Sequence, residues 1–396
     1  MSGRVKGFRF AGVSGGVKAS GALDLGLLLA DEPAVASGVF TKNQVRAAPV
    51  VISERRLASG RCQAILVNSG NANACTGKEG RKAALALTRA AAVAVHVPRA
   101  LVVPASTGVI GVQLPRDAIE ASIPALVDDL SEAGAARFAR AIMTTDRGPK
   151  VASAEVKIGR TVCRILGIAK GAGMIHPNMA TTLAFVTTDA PLARAPLSRI
   201  LRRATEVTFN RATVDGDTST NDSIYALASG AATTRMVEEK TSDGRRFEAA
   251  FTEVLESLAT KIVADGEGAE HLVRIEVRGT RSDADAVQLA RTIASSQLVK
   301  TALHGCDPNW GRILAAAGRS GARFNPDQVS VRIGPVSIFE RGTPTMTAKT
   351  EAKAIAVMKR AEYEISVTAG TGRGLGHYWT CDLGHEYVRI NAAYRT

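Results

Sequence analysis

A chain of 396 residues is long enough for two or three domains, and a balance of 45% apolar to 22% charged residues is that of a soluble globular protein whose cores need no disulfide staples. Its formal charge of +13 is carried by lysines and arginines scattered without a basic block or interleaved aromatics. That pattern argues against a nucleic-acid or membrane partner and leaves a basic surface that attracts small anions, such as amino-acid carboxylates. The five cysteines lie far apart with no CxxC pair, so neither a disulfide framework nor a zinc site is expected, and a reducing compartment is the natural reading. The opening segment, residues 1–21, lacks the apolar stretch of a secretory signal, and no run approaches about 18 apolar residues. A cytoplasmic chain without a membrane span is the expectation.

In chain order, Ala64 to Asn68 reads as a buried strand that ends in the turn-rich loop Ser69 to Gly77. Lys82 to Val95 is Ala-rich and reads as a helix, and the strand Leu101 to Val103 runs into Pro104-Ala105-Ser106-Thr107-Gly108. A helical pattern covers Arg116 to Ala141, and the polar cluster Met143-Thr144-Thr145-Asp146 follows. Strands at Ala152–Ile158 and Val162–Ile168 are joined by a Gly159-Arg160 turn. A Gly-rich loop from Lys170 then passes through Pro177-Asn178 into an apolar strand ending at Val186. Helices are expected at Leu192–Thr208 and Phe247–Ala264, with the polar loop Asp215–Asp222 between them. Val273–Val277 alternates as a strand, Ser282 caps a helix over Asp283–Ser296, and His304–Arg312 is a punctuated loop. Strands recur at Val329–Ile333, Tyr363–Val367 and Tyr387–Ile390, with a helix near Glu351–Ala361. Helices alternate with strands that are often paired by short turns, so a mixed α/β (α+β) fold is expected rather than a doubly wound parallel sheet. The domain boundary is placed near residue 280, giving a main region 1–280 and a C-terminal α/β domain 281–396.

Lys170-Gly171-Ala172-Gly173 lacks the order of a phosphate-binding loop, and no GxGxxG opens a helix here. Met179-Ala180-Thr181-Thr182-Leu183 lies where the flexible loop meets the apolar strand. A threonine hydroxyl there can attack the preceding carbonyl, and hydrolysis of the resulting ester would expose a new N-terminal threonine. Its α-amine, with an ordinary pKa of about 7.7–8.0, would serve as base to its own hydroxyl. That chemistry needs no Ser-His-Asp set, and none stands out. The residues alone do not choose between Thr181, Thr182 and an ordinary strand start.

Several ordered segments resemble signatures of the ornithine acetyltransferase family of arginine biosynthesis: Asn68–Gly77, Ala105–Gly111, Ala141–Asp146, Lys170–Met174, Pro177–Thr181, Val214–Asp222, Asp265–Gly268, His304–Arg312 and Asn391–Tyr394. The resemblance spans essentially the whole chain. It implies a layered αββα sandwich of an autoprocessing, N-terminal-nucleophile-like enzyme. It implies cleavage between Ala180 and Thr181 into an α chain, 1–180, and a β chain, 181–396, assembled as an α2β2 heterotetramer. Thr181 would carry the acetyl group between N2-acetylornithine and glutamate. Thr107 and Gly108 match the oxyanion-hole pair. Thr145 (from the Thr144-Thr145 pair), Lys170, Thr181, Glu267, Asn391 and Thr396 match the substrate-binding positions. No cofactor or metal is implied, and acetyl-CoA stays open as a further acetyl donor. The rival reading is a self-cleaving amidohydrolase or aminopeptidase of the same architecture, which would pass its acyl group to water.

Overall fold

The computed structural model describes residues 4–176 and 182–393. They form two units, one from residues 4–210 and 218–262, the other from 211–217 and 263–393.

Among the described residues, eight strands of the first unit form a continuous sheet: β1 (Phe8–Val13), β2 (Leu25–Phe40), β3 (Arg61–Asn71), β4 (Val102–Val109), β5 (Lys150–Ile158), β6 (Thr161–Lys170), β7 (Leu183–Thr188) and β8 (Ser223–Ala228). The spatial order is β4-β3-β2-β8-β7-β6-β5, with β1 beside β2. β2 serves two layers. Its Leu25–Leu29 half pairs with β1 and β3, its Val35–Phe40 half pairs with β8, and the register shifts between Leu29 and Ala34. Exposed Asp31 and Glu32, followed by Pro33, interrupt the apolar run at that shift. A proline cannot donate to a ladder, so the interruption suits a bend.

The core between the two half-sheets joins Phe8, Phe10, Leu28, Ile65 and Val67 to Leu166, Ile168, Phe185 and Tyr225. An aromatic string crosses it, with ring centroids 5.8 Å apart for Phe10–Phe138, 5.2 Å for Phe138–Phe185 and 5.3 Å for Phe185–Tyr225. Each buried ring contributes roughly 2–3 kcal/mol by area alone. Helices cover both outer faces. Of α1 (Ala48–Leu57), α2 (Gly77–Ala94), α3 (Arg116–Asp128), α4 (Ala135–Ala141), α5 (Arg194–Val207) and α6 (Ser242–Ala264), α2 and α3 pack Leu87, Ala91, Ile119, Ile123 and Leu126 onto the β2–β3 layer. On the other side, α6 sets Val254 and Leu258 against Gly167 of β6, and α5 packs on β2. The result is the layered αββα arrangement. β7 and β8 lie parallel at its centre with every residue buried, which explains why Leu183–Val186 reads as an unbroken apolar run.

The second unit carries its own sheet of β9 (Leu272–Thr280), β10 (Ser330–Ile333), β11 (Val336–Glu340), β12 (Thr343–Pro344), β13 (Glu362–Thr368) and β14 (Gly374–Cys381), in the order β12-β11-β10-β13-β9-β14. Helices α7 (Asp283–Ala294), α8 (Gln297–His304), α9 (Trp310–Gly318), α10 (Ala348–Met358) and α11 (His385–Ala393) accompany it. Val273, Ile275, Ile365, Val367 and Tyr378 meet Leu289, Ile293, Ile313 and Met358 in its core. The hydroxyl of Ser282 caps α7 by accepting from the Asp285 N–H.

Three expectations change. The boundary near residue 280 moves ahead of β9, because that strand is interior to the second sheet, hydrogen-bonded to β13 and β14. The helix expected over Arg116–Ala141 is two helices: the backbone of Ser131 bridges to Phe10, and a Cβ on Gly134 would lie 1.9 Å from the Phe10 carbonyl oxygen. Tyr387–Ile390 is helical, within α11, rather than a strand. A four-residue stretch with three apolar positions, Tyr387, Val388 and Ile390, fits either form. The helix is favoured by the Glu386–Arg389 pair one turn apart.

Candidate active site

The parallel β3–β4 ladder sets Ser69 opposite Thr107 and Gly70 opposite Gly108, and its register breaks at Asn71, which faces both Thr107 and Val109. Such a break re-aims the residues at a strand end. Gly108 has φ +132°, and a Cβ there would lie 2.3 Å from the Gly70 carbonyl carbon and 2.5 Å from the Asn71 nitrogen. Only glycine tolerates both that conformation and that approach. Thr107 and Gly108 are half-buried.

A chain of side-chain amides fixes this corner. Asn68 Nδ2 donates to the Asn71 carbonyl at 2.8 Å, and Asn68 Oδ1 accepts from Ser106 Oγ at 2.6 Å. Asn221 Nδ2 donates to the carbonyls of Ala72 at 2.6 Å and Ser106 at 2.8 Å, while its Oδ1 accepts from Thr220 Oγ1 at 2.6 Å. Asn68, Ser106 and Asn221 are buried, where a polar atom without a partner costs about 1–3 kcal/mol. Two residues beyond Asn221, the Ser223 N–H donates to the Thr182 carbonyl at 2.8 Å.

Lys170 ends β6 and pairs with Leu183, the first residue of β7. Its backbone carbonyl accepts from Thr182 Oγ1. On the other side of the loop, the His176 carbonyl accepts from Thr218 Oγ1 at 2.8 Å. The described residues that flank the expected cut are therefore both anchored. Ala180 and Thr181 lie outside the described residues.

The Lys170 ammonium faces a buried carboxylate, with its Nζ 3.9 Å from Asp146 Oδ2. Asp146 also accepts from Lys150 Nζ at 2.6 Å, from the Gly171 N–H at 2.7 Å and from the Thr144 N–H at 2.9 Å. Burial works to raise its pKa, but Lys170 and Lys150 outweigh that and hold it down to about 2. Thr145, half-buried, sits between Thr144 and this anchor. Lys18 reaches the same loop, donating to the carbonyls of Met143 and Leu23, each at 2.8 Å. Burial lowers the Lys18 pKa, partly offset by Asp24 and Asp146.

In the second unit Glu267 is buried in the turn after α6, not on the surface, and its Oε2 accepts from Asn391 Nδ2 at 2.8 Å. A Cβ on Gly268, at φ +73°, would lie 2.6 Å from the Tyr387 nitrogen, so the turn sits directly on α11. Asp382, fully buried, accepts from the N–H groups of Glu270 and His271, both at 2.8 Å, and pairs with His304 Nδ1 at 2.8 Å. Thr396 lies outside the described residues.

Thr107, Gly108, Thr145 and Lys170 thus belong to one unit, and Glu267 and Asn391 make a contact in the other. Sequence reading gave no role to Lys18, Asp146, Asn68, Ser106, Asn221 or Asp382. For Asn68, Ser106, Asp146 and Asn221 the signal available was a polar or charged residue embedded in or beside a signature segment, where burial demands partners; Lys18 and Asp382 lie outside those segments.

A model of the ArgJ family matches residues 9–396. The chain is 47% identical over 393 residues to the arginine biosynthesis bifunctional protein ArgJ of Syntrophotalea carbinolica, covering 99% of this chain and 100% of that protein. It is 46% identical over 392 residues to the protein of the same name from Geobacter sulfurreducens, with coverage of 99% and 100%. The crystal structure of the arginine biosynthesis bifunctional protein from Bacillus halodurans matches with a TM-score of 0.51 at 44% identity, covering 53% of this chain and 98% of the solved chain.

Proposed function

We infer the reaction from one premise: this chain belongs to the ArgJ family and is a bifunctional acyltransferase of arginine biosynthesis. In our reading it moves the acetyl group of N2-acetylornithine to glutamate through an ester on Thr181. The observation that carries this reading is the segment Asn221–Ser223. Its Asn221 amide holds Ser106, the residue before Thr107, and its Ser223 N–H holds Thr182, the residue after Thr181. One rigid strand start thereby organises both the oxyanion pair and the neighbour of the nucleophile.

The chain first cuts itself. The Thr181 hydroxyl attacks the Ala180 carbonyl, the peptide shifts from nitrogen to oxygen, and water hydrolyses the ester, leaving a carboxylate on Ala180 and a free amine on Thr181. That a chain in the Bacillus halodurans structure is matched almost whole by 53% of this one supports a precursor cut near its middle. In the transfer, Thr181 Oγ1 attacks the acetyl carbon and passes its proton to its own α-amine. The Thr107 hydroxyl and the Gly108 N–H stabilise the oxyanion. The C–N bond breaks, the α-ammonium protonates the departing amine, and ornithine leaves. The glutamate amine then attacks the ester, and the threonine oxygen recovers its proton.

The enzyme must take a basic and an acidic side chain in turn. Lys170 and Thr145 hold the portion common to both amino acids, Glu267 pairs with the ornithine ammonium, and Asn391 and Thr396 add neutral hydrogen bonds. Acetyl-CoA serves as a second acetyl donor to glutamate in this reading of the bifunctional family. The cut chains assemble as α2β2, and the enzyme acts in the cytoplasm, where its five free cysteines stay reduced.

The test is ornithine release from N2-acetylornithine with and without glutamate. Sustained turnover only with glutamate supports transfer, whereas equal turnover without it supports the amidohydrolase. Glutamate with acetyl-CoA and no acetylornithine tests the second donor.

A further inference from the structure

We propose that Asn221 is a positioning residue of the acyl-transfer site, holding the Thr107–Gly108 pair in register with the segment that follows the nucleophile. The inference deepens the reading above and rests on its assignment of Thr107 and Gly108 to the oxyanion.

Asn221 is 5% exposed and spends both amide protons on main-chain carbonyls of different origin, Ala72 just past β3 and Ser106 within β4. The Ser106 carbonyl belongs to the same planar peptide as the Thr107 N–H, so holding that oxygen fixes the orientation of the peptide from which Thr107 departs. Ser106 is held a second time through its hydroxyl on Asn68. The Asn221 carbonyl accepts from Ser223 Oγ at 3.0 Å, and Ser223 in turn holds Thr182. Ser223 is also paired on both sides, with Leu183 of β7 and Phe40 of β2, so the support is a central strand rather than a loop.

The side chain is specified by chemistry. Two converging carbonyls at 2.6 and 2.8 Å require a group with two donors on one atom. Aspartate would set an oxygen against both carbonyls, serine has one donor, and alanine has none. A shift of about 1 Å at such a corner is enough to cost roughly 100-fold in rate.

The experiment is a double-mutant cycle on the self-cut enzyme, with activity normalised to the cut fraction on a denaturing gel. Asn221→Ser and Thr107→Ala are made singly and together, and kcat and KM are measured with N2-acetylornithine and glutamate. Asn221→Ser is expected to lower kcat by roughly 10–100-fold with KM changed by less than about 3-fold. On the Thr107→Ala background its further effect is expected to shrink, because one of the two donors it aims is gone and only the Gly108 N–H is left to misplace. A loss confined to KM, or an undiminished loss on an impaired Thr107→Ala enzyme, overturns the positioning role alone. A Thr107→Ala enzyme at full rate removes the oxyanion assignment and this inference with it. Where Asn221→Ser does not accumulate, Asn221→Gln, which keeps two donors on one atom but displaces them by one methylene, is held to the same non-additivity.

Discussion

The hydroxyl of Thr182 donates to the main-chain carbonyl of Lys170, and the next residue, Leu183, pairs with Lys170 in the β6–β7 ladder. Thr182, the second residue beyond the proposed cut, is thereby fixed to the residue whose ammonium faces Asp146. In the proposed reaction the two adjacent threonines have different duties, one reactive and one structural.

Thr182→Val removes the structural hydroxyl and leaves a buried carbonyl without that donor, at a cost of about 1–3 kcal/mol. The chain is expected still to cut before residue 181, more slowly. Thr181→Ala is expected to stay full length and inactive. A denaturing gel with N-terminal sequencing of the smaller products checks both, and normal cutting of the Thr181→Ala chain would contradict the assignment.

Gly108→Ala forces a Cβ to within 2.3 Å of the Gly70 carbonyl carbon at φ +132°. The β3–β4 corner must open, and the donor that Gly108 supplies moves with it. A fall in kcat of roughly 100–1,000-fold is expected. Gly111→Ala, where nothing lies within 4 Å of a new Cβ, is the comparison that should lose far less, though φ +84° strains it too.

Asp146 joins Lys150, Lys170 and the Gly171 N–H. Its pKa falls from the ordinary 3.8 to about 2, so the stability it contributes, roughly 2 kcal/mol, is complete above about pH 4 and is lost as the pH drops through about 2. Asp146→Asn leaves two buried ammonium groups facing a neutral amide and should lower Tm at pH 7 by roughly 10 °C. It should also flatten the fall in Tm between about pH 4 and 2. An Asp146→Asn chain with the parent acid profile would show that the carboxylate is not the cause.

Glu267 and Asn391 test the proposed discrimination between the two substrates. Glu267→Gln removes the proposed partner of the ornithine ammonium and is expected to lower kcat/KM for N2-acetylornithine by roughly 10–100-fold, while the KM for glutamate changes little or improves. Asn391→Asp places a second carboxylate where a donor now reaches Glu267 at 2.8 Å, and should raise the KM for glutamate. Equal losses for both substrates would argue for a merely structural contact.

Periodicity made the long, regular elements legible. The hairpin β5–β6, the apolar strand β7 and the Ser282-capped α7 follow from alternation, unbroken burial and a capping hydroxyl. Tyr387–Ile390 was not legible, since three apolar residues in so short a stretch do not distinguish strand from helix. The split between α3 and α4 depends on Ser131 meeting Phe10, a contact across more than a hundred residues that no local pattern encodes. For the site, the ordered signatures pointed to Thr107, Gly108, Lys170 and Glu267, because reactive and charged groups leave a mark in sequence. Asn221 and Asp382 act through backbone carbonyls and N–H groups of distant segments, and such partners become visible only once the chain is folded.

In the proposed reaction Thr181 itself carries the acetyl group. The direct measurement is the intact mass of the separated chains after brief exposure to N2-acetylornithine without glutamate, followed by acid quench. A 181–396 chain heavier by one acetyl group is expected, with the group located on Thr181 and discharged when glutamate is added before the quench. Rapid exchange of acetyl from N2-acetylornithine to glutamate, with no acetylated 181–396 chain at any time within the first turnover, would contradict it.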